Sequence, residues 1–268
     1  MIKNRHVLHA IGVVYLLIIA GCGSAEDEGV SDSIMKDGDK TKNQISNEHS
    51  VNSARFAKLD ENGEELSDSV EDWHCVHDSE NNLIWEGKYW GDSMSSKEKL
   101  HYYDDRFNWH DPDFETNGGR DGSRDDDGAI CFGYQRGVEE TFCNTYAYAN
   151  RVNEQEYCGI NNWRLPTHEE LKSLVDKEYP FGAGSNVVDG LFINENYFPR
   201  TDGRWFYWTS TRYEGGMNDS WGVHFRNGKS VNAASYSQQL VRLVSGECKI
   251  GCEIVEVAPG EQPDPDAF

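Results

Sequence analysis

Trp163-Arg164-Leu165-Pro166-Thr167-His168-Glu169-Glu170-Leu171, continuing through Lys172-Ser173-Leu174-Val175, is the stretch whose reading decides the fold. Thr167 followed three places on by Glu170 is a capping box, in which each side chain satisfies a backbone donor at a helix start. Pro166, just before the cap, blocks extension of the helix upstream. Leu171, Leu174 and Val175 fall at spacings of three and four, so the helix has one apolar face. Trp163-Arg164-Leu165 alternates as a short buried strand does. The stretch therefore predicts strand, stop and capped helix through Val175.

Working outward, Asn144 can cap a second helix reaching about Asn153, with Tyr148, Ala149 and Val152 on one side. Towards the N-terminus, Phe56–Leu59 reads as a strand, followed by a turn and a return through Glu64-Glu65-Leu66. Trp73–Val76 and Leu83–Trp85 read as a hairpin. Towards the C-terminus the expected strands are Phe206–Thr211, Trp221–Phe225, Ser230–Ala233 and Leu240–Val244, with Asn227-Gly228 as a type I′ turn. Between Gly91 and Gly128 no period is visible, and Tyr102, Tyr103, Phe107, Trp109 and Phe114 are expected to anchor a long loop. The reading is an α+β domain over 55–247, with two short helices, several short antiparallel strands and long loops.

Four segments, in order, resemble one family. They are Trp73-His74-Cys75-Val76-His77-Asp78 with Leu83-Ile84-Trp85-Glu86, then Trp163 to Leu171, then Tyr207-Trp208-Thr209-Ser210-Thr211, then Val241-Arg242-Leu243-Val244. Together they are similar to the Lcl C-terminal domain family, named after the Legionella collagen-like adhesin. The resemblance implies a C-type-lectin-like fold, related to that of formylglycine-generating enzymes, which share an Arg-Leu-Pro-Thr turn before a helix. It implies much less about activity than about fold; the family's namesake binds sulfated glycosaminoglycans.

The ends of the chain carry an address. Lys3 and Arg5 precede an apolar run, Ala10 to Ala20, too short to span a bilayer. The run ends in Leu17-Ile18-Ile19-Ala20-Gly21-Cys22, which resembles a lipoprotein signal over 1–21 with Cys22 as the acylated residue; the rival is an ordinary secretory signal with an incidental cysteine. Gly23 rather than Asp after the cysteine points to an exported protein lipid-anchored in the outer membrane. From 22 to 54 the composition is polar and acidic, that of a flexible tether. An acidic tail closes the chain over 248–268.

Of seven cysteines, lipidation of Cys22 leaves six. In an exported chain an even number reads as disulfides. Six cysteines allow fifteen pairings and sequence does not choose among them; the set carried forward is Cys131 with Cys143, Cys248 with Cys252, and Cys75 with Cys158. The rival, a zinc site, lacks any Cys-x-x-Cys pair.

Length and composition bound the rest. A chain of 268 residues with 12% aromatic content can bury one sizeable core, and a mean hydropathy of -0.74 excludes a polytopic membrane protein. A formal charge of -22 argues against nucleic-acid binding. The charge is uneven. From Tyr197 to Ser245, Arg200, Arg204, Arg212, Arg226, Lys229 and Arg242 outnumber Asp202, Glu214 and Asp219. The same segment is rich in Trp and Tyr. Aromatic faces stack on the C–H faces of sugars, while guanidinium and amide groups bind hydroxyls. Trp208 and Trp221 are expected in the core. Arg204, Trp205, Arg212, Tyr213 and Asn218, at strand ends or in a loop, are the ligand candidates.

Asp121, Ser123 and Asp125 have the alternate spacing of a calcium loop, but Asp126 stands where the loop glycine belongs and no bidentate Glu follows. The competing reading is a solvated acidic loop, and no other cofactor is implied. His168 beside Glu169 and Glu170 sits in a helix's first turn, where acids oppose the dipole and Glu170 is used by the cap. No hydrolase, zinc-protease or nucleotide motif occurs, and the reactive cysteines of the enzyme relatives find no match. The expectation is a non-enzymatic envelope lipoprotein whose partner is a glycan or, alternatively, another envelope protein, with an enzyme of the formylglycine-generating type as the third and last reading.

Overall fold

The computed structural model of the chain describes residues 55–89, 99–114, 116–117, 119–124, 131–177, 190–216 and 218–252. Cys22, the signal, the tether, Asp125 and the tail beyond 252 lie outside the described residues. The architecture is α+β, with two small antiparallel sheets and short helices. The first sheet holds β1 (Phe56–Leu59), β2 (Cys75–Asp78), β3 (Leu83–Glu86) and β7 (Val244–Ser245), in that order. The second runs β4 (Tyr207–Tyr213), β5 (Asp219–His224), β6 (Lys229–Ala234).

Side-chain alternation along these strands divides the core in two. Cys75 and Trp208 point into one cluster, with Trp109, Tyr148, Val152, Trp163 and Leu243. Their chain neighbours Val76 and Tyr207 point into the other, with Phe56, Trp85, Leu171, Phe198, Phe225 and Val244. A strand with alternate residues buried on opposite faces must be covered on both. Trp208 and Trp221 are core residues, 0% and 3% exposed. Phe107 and Trp109 anchor their loop as expected, whereas Phe114 is 75% exposed and anchors nothing.

The helices follow their caps. The first, α1 (Thr145–Glu154), starts at Asn144, whose side chain accepts from the Ala147 amide. The second, α2 (His168–Lys172), has the full capping box of Thr167 and Glu170. It is shorter than expected. The Leu174 amide bonds to the Leu171 carbonyl and the Val175 amide to that of Lys172, three residues back, so the last turn tightens into 3₁₀ form. Leu171 and Leu174 stay buried, so the apolar spacing survives the change in bonding. Trp163–Leu165 forms no strand of its own; Arg164 makes a two-way backbone bridge to Val244 at 2.9 Å each way. The β5–β6 connection also differs. It is a four-residue turn over 225–228 in which Gly228 alone has positive φ, and a type I′ turn needs two such residues.

Residues 239–245 stitch the sheets together. Gln239 exchanges backbone bonds with Phe107, Leu240 bonds to Phe206 and Trp208, and Leu243 bonds to Glu86. Because the partners change along its length, only Val244–Ser245 is regular strand.

Three disulfides join Cys75 to Cys158, Cys131 to Cys143 and Cys248 to Cys252, the same set carried forward from the sequence. Behind β3 lies a buried polar cluster. Glu86, fully buried, accepts from Lys88 Nζ at 2.8 Å, from the Tyr148 hydroxyl, and from the Leu243 amide at 2.8 Å, and it pairs with His101 Nδ1 at 2.7 Å. Burial alone would raise its carboxyl, but Lys88, His101 and the Leu243 amide more than offset that and hold it well below the usual carboxylate range. His101 adopts φ 76° and stacks on Tyr157 at 3.8 Å.

Candidate functional site

The capped motif builds one wall of a cleft of about 650 Å³. Glu170 is fully buried; its Oε2 accepts from the Thr167 amide at 2.8 Å while Arg164 forks onto both carboxylate oxygens at 2.7 and 2.8 Å. This fixes Arg164, Leu165 and Thr167 along the cleft. Thr167 also donates to the Ile250 carbonyl at 2.8 Å, seating the small disulfide loop Cys248–Cys252 beside it. The opposite side comes from α1 through Tyr146, Ala149 and Asn150, and from the long loop through Trp109, Asp111 and Arg120.

The end of β4 supplies the floor with Thr211, Arg212 and Tyr213. Between the pairs Trp208↔Gly222 and Arg212↔Ser220, three residues intervene on β4 against one on β5. Such a bulge bends a strand and re-aims its side chains. Beyond it the Arg212 guanidinium lies 4.5 Å from the Trp109 ring centroid. It donates to Ser220 Oγ at 3.2 Å and Asn218 Oδ1 at 3.3 Å, and Asn218 donates in turn to Ser235 Oγ at 2.6 Å. Burial, and secondarily the Arg120 charge, lower its proton affinity. Tyr213 meets Trp221 edge-on at 5.0 Å.

Of the five ligand candidates, the structure brings together Arg212, Tyr213 and Asn218. Arg204 and Trp205 lie elsewhere. Arg204 forks onto Asp202 and reaches Asp104 at 3.2 Å, so its hydrogen bond to Asp202 raises its pKa. Trp205 is covered by the Arg106 guanidinium at 4.6 Å. Sequence reasoning missed Arg120, Asp111 and Tyr146. Tyr146 had a signal, since it sits on the polar side of α1 and is 47% exposed.

In the candidate calcium loop, the Asp121 carbonyl accepts from the Asp111 amide at 3.0 Å, and the Ser123 amide donates to Trp109 at 2.8 Å. Among the described residues no group of three or more His, Cys, Asp or Glu side chains is placed to hold a metal ion. His168 packs against the ring of Trp221 and its Nε2 meets Ser230 Oγ at 2.7 Å, a structural position.

The profile of one family, described as the Lcl C-terminal domain, matches residues 74–245. The chain belongs to the Lcl C-terminal domain family. The matched span runs from the start of β2 to the end of β7, so it leaves out β1 but includes the rest of the first sheet, all of the second, and the β4 residues that line the cleft. No curated protein and no solved structure matched the chain.

Proposed function

We propose that this Lcl domain is the ligand-binding head of an exported lipoprotein, with a glycan as the occupant of its cleft. On this reading Cys22 is acylated, the 22–54 segment is a tether, and the domain is held off the outer membrane. Membership of the Lcl family is consistent with an envelope-associated, adhesive protein. One observation carries the glycan reading: Arg212, Tyr213 and Tyr146 converge on a cleft of about 650 Å³. That volume lies in the range of small-ligand sites, about 300–1,000 Å³. Tyrosine faces and a guanidinium are the groups that bind sugar rings and hydroxyls. Short helices, two small antiparallel sheets and a last strand returning to the first sheet support a C-type-lectin-like fold.

The test is a glycan array probed with the soluble domain from Arg55 onward. Binding is expected, with loss in Tyr146→Ala and Tyr213→Ala and retention in Trp205→Ala, which lies outside the cleft. A blank array beside a co-purifying envelope protein would replace the glycan by a protein partner. Radiolabelled palmitate tests the anchor: labelling of Cys22→Ser equal to wild type rules out lipidation there.

A further inference from the structure

Arg212 is a half-buried cation with no carboxylate within ion-pair distance among the described residues. Elsewhere in the domain the pattern is different: Arg55 forks onto Asp78, Arg164 onto Glu170 and Arg204 onto Asp202. A guanidinium carries five N–H donors. The two bonds Arg212 makes, at 3.2 and 3.3 Å, go to neutral oxygens of Ser220 and Asn218. Taking a charge out of water without a counter-charge is costly. Arg242, also without a carboxylate, is sealed in the core at 1% exposure, whereas Arg212 lines the cleft.

A second cation points the same way. Arg120 lines the cleft, donates to the Gly216 carbonyl at 3.0 Å in the turn after β4, and is close enough to repel Arg212. Asp219, Asp111 and Asp121 attract Arg212 and offset part of that repulsion, but none stands at ion-pair distance from its guanidinium among the described residues, so an anion placed on the fork makes a contact these acids do not. Asn218 and Ser235 hold the Arg212 head from behind, and Trp109 holds its face. The fork is therefore positioned before any ligand arrives, which lowers the cost of binding.

We propose that Arg212, assisted by Arg120, forms an anion subsite that takes a single carboxylate on the bound sugar. The inference rests on the glycan reading of the cleft and names the class of glycan: an acidic sugar with one carboxylate, flanked by neutral rings. The carboxylate sits on the Arg212 fork while sugar faces reach Tyr146 and Tyr213. A densely sulfated chain is excluded by the surroundings. Asp111 and Glu214 also line the cleft, Asp121 and Asp219 act on Arg212, and the whole chain carries -22. One negative charge is matched there; a run of them is repelled.

The experiment is calorimetry on the oxidised protein with four probes: a glucuronate-terminated oligosaccharide, its glucose-terminated counterpart, heparin, and phenylacetate as a carboxylate without a sugar. The carboxylated oligosaccharide is expected to bind about tenfold tighter than the neutral one, the discrimination worth about one charge-assisted hydrogen bond. In Arg212→Gln the ratio of the two affinities should fall to about one, and in Arg212→Lys it should be intermediate, since charge persists but the fork is lost. Arg120→Gln should lower the ratio by less. Equal affinities in the wild type, a ratio that survives Arg212→Gln, or heparin binding tightest would each overturn the subsite. If phenylacetate binds in an Arg212-dependent manner while neither oligosaccharide does, the subsite stands and the glycan reading falls. If none of the four binds, the subsite is overturned.

Discussion

Replacing Glu86 by Gln keeps the side chain's shape and removes its charge. Lys88, whose side chain is 3% exposed, then stands in the core without its ion-pair partner, its ammonium left to neutral acceptors such as the Tyr148 hydroxyl at 2.9 Å. Removing one partner of a buried ion pair costs about 3–5 kcal/mol, because the other charge is left uncompensated. For a domain of this size each kcal/mol moves Tm by about 2–4 °C, so Glu86→Gln should lower Tm by about 6–20 °C. The decisive variant is Glu86→Gln combined with Lys88→Met. Replacing both charges by neutral groups of similar volume is often close to neutral, so Lys88→Met should be destabilising alone and restorative in the Glu86→Gln background. Urea unfolding of the four proteins, followed by tryptophan fluorescence, gives the coupling energy directly. The reasoning is refuted if Glu86→Gln costs less than about 1 kcal/mol, or if Lys88→Met deepens the loss instead of relieving it.

The disulfides should differ widely in worth. Cys75–Cys158 closes 83 residues and Cys248–Cys252 closes 4; loop-closure entropy gives about 4–5 kcal/mol for the first and about 2 kcal/mol for the second. Paired Cys→Ser variants compared by urea unfolding check the ranking, and equal losses would contradict it. Stability should also decline in acid in two stages. Burial lowers the His101 pKa below its ordinary 6.5 despite the pull of Glu86, so the unfolded chain takes up the proton first and stability falls as pH drops from 6.5 towards the folded-state value. Asp78 is lowered below 3.8, its burial being outweighed by Arg55 and Asn81. Its contribution is full above 3.8 and lost as pH falls through the folded-state value. A pH series of unfolding midpoints that is flat from 7 to 5 would refute the His101 assignment.

Local chemistry was legible in the sequence and long-range geometry was not. The Thr167–Glu170 box and the Asn144 cap need only residues within four positions, and both stand as expected. The β2–β3 hairpin and the burial of Trp208 follow from alternation that any covered sheet imposes. The length of α2 was misjudged because apolar spacing at three and four fits an α-helix or a 3₁₀ end equally well. Asn227-Gly228 was misassigned because the hydrogen bond from the Gly228 amide runs back to His224, four residues away. Arg204 and Arg212 look alike in sequence, each beside an aromatic residue. Only the fold shows that Asp104, a hundred positions upstream, meets the first, while a bulge sends the second into a cleft. Arg120 and Asp111 belong to a long loop whose role depends on which helix it faces, and no local pattern encodes that.

The stitching segment at 239–245 bears on the order of events during folding. The Arg242 side chain bonds to Glu86 across 156 residues and the Leu243 amide to the Glu86 side chain across 157. The first sheet is not completed until this stretch arrives with β7, and contacts of such separation make for slow closure. The Cys75–Cys158 link spans little more than half that distance and lies wholly upstream of the stitching segment, so it can form before that segment docks. Oxidation can therefore precede the final docking and shorten the loop that remains to be closed. The domain is thus built to be fastened in the middle first and locked by its last strand.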